Sequence, residues 1–529
     1  MNISDIIGGS FQMTAGPAGL LAGDLVEMGP DGKGYTVKTT DNAAVANPGN
    51  IVSQTALTQG YGGAAYPSPL PVVRDSAGNT YLLRANDSSG NGLVLRKFDS
   101  AGNSLATVAI DTGATNGDPM TTARIALLPN GNVIVGYCAQ SPVYPTFAIY
   151  DYHLVQVVAP TTIDSGASVT ISGFLPFNMV VLSGGNVAFT YVQSGPLLRM
   201  AVYSSAGSVV SAPATIDSGA GAANPNMVAL SSGGFAVAWT NSANTRYAIY
   251  SSTGAVVLAV TNINAIANTK SIYVSVMTGF FAVLCSSGSN LWSLYVFNNA
   301  GAQQGATYTL SQTVVLNPNS SWALLSLTND GASFWFAAIV STGMYLVSVT
   351  TGGVGATYHP VTSGLSSPLC LQLATDGNGY LVAAWGVNSA AASNYVVIAT
   401  ASPSTTFTAA TTWGTAPSSN GPQNMALLAI GDFAFLSYYD QNNGSISTFF
   451  AVIKYANSAI EGVCVAAAVG GAMASVQPQR MGGGVAAFGV NPLAGSLTKT
   501  FNHLSTSGSN LTGNKGVMTS NGVTLQGVA

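Results

Sequence analysis

The chain has 529 residues, of which 47% are hydrophobic and only 6% charged, with 61 glycines, a net charge of −4 and a mean hydropathy of +0.37. Against a globular average of about 25% charged and about 7% Gly, this excludes intrinsic disorder, which needs high charge and low hydrophobicity. It also excludes a charged helical surface, since Glu occurs only at Glu27 and Glu461, and an all-β chain remains.

Met1 to Gly16 has neither a basic n-region nor an apolar h-region, so a Sec signal peptide is not expected. Residues 1–68 read as an N-terminal arm with one small hairpin, Asp24 to Met28 and Gly34 to Val37 around Gly-Pro-Asp-Gly-Lys. A Gly/Ala/Pro-rich stretch follows to Pro71.

From there a Gly-centred turn followed by an apolar run recurs. It is seen as Ser76 to Ala85, Leu128 to Cys138, Leu182 to Val192, Leu230 to Thr240 and Met277 to Cys285, then Asn329 to Val340, Thr375 to Gly386, Ala429 to Tyr439 and Met481 to Val490. Anchored on Gly78, Gly131, Gly185, Gly234, Gly279, Gly331, Gly379, Gly431 and Gly484, the steps lie between 45 and 54 residues and average about 51.

Three other features keep this register. An Asn-Met strand precedes the turn at Asn178-Met179, Asn226-Met227 and Asn424-Met425. A second hairpin follows it around Gly102, Gly207, Gly254 and Gly301, and Ile-Asp-Thr/Ser-Gly-Ala recurs at Asp111, Asp164 and Asp217. Each unit therefore reads as four short antiparallel strands. Runs such as Val133 to Tyr137 and Phe235 to Trp239 are apolar throughout, as strands buried on both faces are.

Units of this size stacked around an axis make a β-propeller. The sequence predicts eight or nine blades over residues 69–506, the lower number if the two termini share a blade; two tandem propellers or a β-solenoid are the rival architectures. Residues 507–529 form a Gly/Ser/Asn-rich tail, and both flanks are expected to be docking arms.

Candidate chemistry is sparse. Sixteen aspartates would have to supply any acid–base pair, and most lie in turns or in the repeated Ile-Asp position, where Asp bonds nearby backbone. Asp111, Asp164 and Asp217 thus read as architectural. Arg199 and Arg246 occupy matching places and read either as a ligand-facing row or as edge-strand charges that discourage aggregation. His153, His359 and His503 show no metal-ligand spacing, and the four cysteines, Cys138, Cys285, Cys370 and Cys464, are far apart and read as free, packed side chains. The oxygen-rich turns at Asp87 to Gly92 and Thr375 to Gly379 lack the rest of a calcium loop. No catalytic, cofactor or metal residue is assigned.

The basic residues are scattered singly, so no phosphate-neutralising stripe exists and no nucleic-acid partner is expected. The apolar runs are too short for a membrane span. Between Ser252 and Ile453 only Lys270, Asp330, Asp376, Asp432 and Asp440 are charged, and so neutral a surface offers little repulsion against assembly.

The segment Asn226 to Trp239, with Tyr247 to Gly254 after it, resembles propeller-type repeats of large bacterial surface proteins and of tailed-bacteriophage virion proteins. The Ser-x-Asp-x-Gly-x-Thr-Trp box of sialidase-like propellers is lacking. The resemblance and the expected absence of a signal imply a non-enzymatic virion component of tail, fibre or capsid, assembled in the host cytoplasm. It would dock to other virion proteins through its arms as part of an oligomeric assembly and bind a host surface glycan or protein. A polysaccharide-degrading enzyme using Asp carboxylates and a bacterial adhesin are the alternatives.

Overall fold

The computed structural model describes most of residues 72–361 and, outside that stretch, residues 11–14, 25–28, 34–36, 50–57, 368–375, 381–388, 394–401, 411–416, 422–430, 433–442, 445–454, 462–464 and 473–478. All the described regular elements are strands. Hairpins form where the Gly turns predict them. At Leu182 to Asn186, Gly185 takes φ +85° and donates its N–H to Leu182 O at 2.8 Å, while Leu182 N–H bonds Asn186 O. In the fourth unit the left-handed glycine is Gly233, one residue before the anchor read from the sequence.

The strands pair into eight four-stranded sheets. Blade 1 is Val72–Arg74, Thr80–Ala85, Leu93–Phe98 and Ser104–Asp111; blade 2 is Arg124–Leu127, Val133–Ala139, Tyr144–Tyr150 and Gln156–Thr162. Blade 3 is Phe177–Val181, Val187–Gln193, Leu197–Tyr203 and Val209–Asp217; blade 4 is Ala223–Ala229, Phe235–Asn241, Asn244–Tyr250 and Val256–Asn264. Blade 5 is Tyr273–Met277, Phe280–Gly288, Leu291–Asn298 and the short Tyr308–Thr309; blade 6 is Leu325–Asn329, Ser333–Val340, Gly343–Thr350 and Gly355–Val361. Blade 7 is Pro368–Thr375, Leu381–Asn388, Asn394–Ala401 and Thr411–Ala416. Blade 8 takes Pro422–Ile430, Phe433–Asn442 and Ser445–Lys454 from the end of the repeat and its fourth strand, Asn50–Leu57, from the beginning of the chain.

The first strand of every blade contacts the first strand of the next, and that of blade 8 contacts that of blade 1, so the first strands form a closed inner ring. The fourth strands lie outermost: Val209, Val256 and Val257 are exposed there. Register shifts break the pairing of the third and fourth strands in blades 1 to 4, twisting the outer edge away from regular pairing. This is an eight-bladed β-propeller.

Its core is a set of layers between blades. Along Val187 to Tyr191 the period of two sends Val187, Phe189 and Tyr191 against Ile134, Phe147 and Ile149 of blade 2, and Ala188 with Val192 against Phe235, Val237 and Trp239 of blade 4. Both faces are therefore buried, which accounts for the continuous apolar runs. Each large side chain so buried contributes about 2 kcal/mol. At the closing seam the Arg74 guanidinium carbon stands 4.0 Å above the Phe435 ring, a cation–π contact between blades 1 and 8.

A separate five-stranded sheet joins Phe11–Thr14, Leu25–Met28 and Gly34–Thr36 to Gly462–Cys464 and Met473–Pro478. The predicted hairpin is present, with Val26 opposite Thr36. The chain divides into two compact units. One takes Met1–Asn47, Gly431–Phe433 and Lys454–Ala529; the other takes Pro48–Ile430 and Ala434–Ile453 and holds the propeller. The strands thus depart from the expected 1–68 and 69–506 boundaries at both ends: Asn50–Leu57 belongs to a blade and Met473–Pro478 does not. Gly484 and residues 507–529 lie outside the described residues.

Candidate functional site

The repeated Ile-Asp motif ends the outermost strand of blades 1 and 3 and directly follows that of blade 2, and in blades 2 and 3 its carboxylate bonds the following blade. Asp164 of blade 2 caps its own turn through Gly166 N–H at 3.0 Å. Its Oδ2 accepts the Tyr191 hydroxyl of blade 3 at 2.7 Å and lies 3.2 Å from Arg199 Nε. Asp217 of blade 3 repeats this on blade 4. Oδ1 takes Gly219 N–H at 2.8 Å, while Oδ2 accepts Trp239 Nε1–H at 2.8 Å, Asn241 Nδ2–H at 3.1 Å and Arg246 Nη1–H at 2.9 Å.

The pleat explains the spacing: Tyr191 pairs with Arg199 and Trp239 with Arg246 across adjacent strands, so each aromatic and its Arg stand side by side. Burial, then the bond to Asp164, holds the Tyr191 phenol far above its usual range. Burial and the charge of Asp111 do the same to Tyr137 of blade 2. Asp164 and Asp217 are fasteners between blades, the architectural role that the repeat implied for them. Arg199 and Arg246 depart from both readings made of them: they lie on third strands, not edges, and are paired with those aspartates.

A second polar series lies on the inner ring. Asn178 Nδ2 donates to Asn226 Oδ1 at 3.2 Å, and Asn226 Nδ2 donates to Ile272 O at 3.0 Å, so side-chain amides link the inner strands of blades 3 and 4 and reach the chain entering blade 5. Blade 2 has Arg124 at the matching register, opposite Gly136, as Asn178 is opposite Thr190. Burial pushes its guanidinium down to about 10, and Nη1 donates to Ala123 O.

The third place is a departure from the repeat. The outer hairpin turn is Asp99-Ser-Ala-Gly102, Ser204-Ser-Ala-Gly207 and Ser251-Ser-Thr-Gly254 in blades 1, 3 and 4, but Asp151-Tyr-His-Leu154 in blade 2. Leu154 occupies the glycine position with φ +65° and buries its side chain to 6% exposure. Tyr152 is 55% exposed, and its ring centroid lies 3.8 Å from that of His153. Asp151 Oδ1 accepts the N–H groups of His153 and Val155. Lys97 of blade 1 reaches over the seam and donates from Nζ to Tyr152 O at 2.8 Å. Its ammonium stands 5.6 Å from the Tyr81 ring and 5.7 Å from the Tyr152 ring, and Tyr81 donates its hydroxyl to Asp75 at 2.9 Å. The repeat does not display this cluster; the missing glycine at position 154 is the signal that marks it.

No group of three or more His, Cys, Asp and Glu that could hold a metal occurs among the described residues. The oxygen-rich turns at Asp87 and Asp376 lie outside the described residues, as do His503 and the side chain of His359. Cys138, Cys285 and Cys370 form no disulfide. No helix among the described residues is long and apolar enough to cross a membrane.

Against protein-family models and against curated proteins the sequence finds no match. Solved structures give fold-level likenesses. The BP39L lectin from Burkholderia pseudomallei is 12% identical with a TM-score of 0.46, covering 69% of this chain and 100% of its own. The polysaccharide lyase Uly1 is 11% identical with a TM-score of 0.42, covering 84% and 99%. AofleA from Arthrobotrys oligospora is 11% identical with a TM-score of 0.36, covering 59% and 91%. What those proteins bind or cleave belongs to them.

Proposed function

We propose that this chain is a non-enzymatic attachment component of a bacteriophage particle, in which the propeller is displayed and recognises a host surface glycan or protein. The observation that carries the reading is the pairing of the two ends of the chain. Phe11–Thr14, Leu25–Met28 and Gly34–Thr36 share a sheet with Gly462–Cys464 and Met473–Pro478, outside the unit that holds the blades. In this reading the sheet, drawn from both flanks, is the mount and the propeller is the recognising part. Assembly into a particle in the host cytoplasm, beside other virion proteins, follows from this reading.

Among the described residues, the state of the carboxylates supports recognition over hydrolysis. Paired-carboxylate catalysis needs an acid and a base facing one substrate. Asp75, Asp99, Asp151 and Asp330 accept hydrogen bonds within their own turns, and Asp164 and Asp217 fasten blades.

The test is peptide mass spectrometry and immunogold labelling of purified phage particles from the host that makes this chain. The expected result is stoichiometric incorporation, with antibody against the propeller blocking adsorption. A chain absent from particles and found on the bacterial surface would transfer the role to a cellular adhesin.

A further inference from the structure

We propose that the blade 2 turn Asp151 to Leu154 is a saccharide-binding site, in which the exposed Tyr152 ring stacks against the apolar face of a neutral pyranose and His153, its ring tilted 42° against that of Tyr152, borders the site. The proposal rests on the attachment reading for its ligand class, while its location stands on the geometry alone. Tyr152 is 55% exposed on a turn whose counterparts in blades 1, 3 and 4 carry only Ser, Ala or Thr before the glycine. An aromatic face flanked by polar ring atoms suits the alternating C–H and hydroxyl surface of a sugar. Val155 and Val157, 61% and 55% exposed, continue the apolar surface along the adjoining strand.

The turn is held in place before any ligand arrives. Lys97 binds the Tyr152 carbonyl from the neighbouring blade, Asp151 ties the His153 and Val155 amides, and the Leu154 side chain is buried beneath. A platform fixed in advance loses little conformational freedom on binding. The local charge selects among sugars. Asp75 accepts the Tyr81 hydroxyl and Asp151 caps the turn itself, while Lys97 donates its ammonium to the Tyr152 carbonyl. The balance is negative, so uronic and sialic acids are disfavoured and a neutral hexose or N-acetylhexosamine is favoured.

The experiment is an array of neutral and acidic glycans probed with the full-length chain, followed by calorimetric titration of the tightest neutral saccharide into wild type, Tyr152→Ala and Tyr152→Phe. Tyr152→Ala is expected to weaken binding about tenfold or more and Tyr152→Phe to stay within about threefold, because the stacking face is kept. Melting curves accompany each variant, and where Tyr152→Ala melts early, Tyr152→Gln is read in its place. Unchanged binding by a well-folded Tyr152→Ala, a preference for acidic glycans, or no binding to any glycan overturns the site. Tyr152→Ala adsorbing to host cells as well as wild type also overturns it, yet leaves attachment standing; attachment itself fails on the absence of the chain from particles or on adsorption that antibody against the propeller leaves intact.

Discussion

Arg246 and Asp217 meet across the seam between blades 4 and 3, Nη1 to Oδ2 at 2.9 Å, with side-chain exposures of 24% and 6%. Burial alone would raise the Asp217 pKa, but donation from Gly219, Trp239, Asn241 and Arg246 outweighs it and holds the carboxyl below its ordinary 3.8. A carboxylate depressed in the folded state contributes stability that is fully present above its unfolded pKa and lost as pH falls through the folded value. Asp217→Asn leaves Arg246 facing a neutral amide and is expected to cost about 3 kcal/mol at neutral pH. Denaturant unfolding at a series of pH values should show that gap constant above about pH 5 and shrinking below about pH 4. A gap that widens in acid would refute the assignment.

Leu154 and Gly207 occupy the same turn position in adjacent blades, at φ +65° and +83°. Leu154→Gly relieves about 1–2 kcal/mol of left-handed strain and forfeits about 2 kcal/mol of burial, so the stability change should stay within about 1 kcal/mol. Gly207→Ala has no such compensation, because its Cβ would stand 3.0 Å from Val158 Cγ1 of blade 2 in a strained backbone. Urea unfolding should place it at least about 1 kcal/mol below wild type, and a silent Gly207→Ala would contradict this packing.

Thiol chemistry reports on the inter-blade layers. Burial pushes the Cys138 thiol up to about 12 against a lowering bond from Thr122, and burial pushes Cys370 up to about 12; Cys285 is buried as well. Since the thiolate is the reactive form, a Cys370→Ser/Cys464→Ser chain, which keeps the two buried thiols, should react at pH 8 with a disulfide reagent only after unfolding. Prompt labelling of the native chain would show that a layer opens.

What the sequence revealed and what it hid divide along sequence separation. Gly185 with Leu182 and Asn186 forms a turn from three neighbours in the chain, and such turns display the period, the strand order and the continuous inner strands. Asp164 and Tyr191, or Asp217 and Arg246, are partners 27 and 29 residues apart. Their identities repeat, so an architectural role was legible, but which side chain meets which depends on how one blade faces the next. The Tyr152 cluster was hidden for the opposite reason: periodicity displays what recurs, and a binding turn is where recurrence stops. Least legible was the fourth strand of blade 8, because Asn50–Leu57 has no turn partner beside it in the chain.

That strand yields the sharpest test of closure. Asn50–Leu57 is the outer strand on Ser445–Lys454, so along it alternate residues present N–H and C=O to the partner and to solvent. Proline at successive positions therefore separates a paired strand from an unpaired one. Of Ser53→Pro and Gln54→Pro, one removes a ladder hydrogen bond and should cost about 3 kcal/mol, while the other faces solvent and should cost less than about 1 kcal/mol. The disruptive member should also bare the edge of Ser445–Lys454, and an unprotected edge pairs with another chain. Analytical ultracentrifugation should then show concentration-dependent association in that variant alone. Equal tolerance of both prolines would mean that blade 8 is closed by some other segment and that the ring does not take its last strand from the start of the chain.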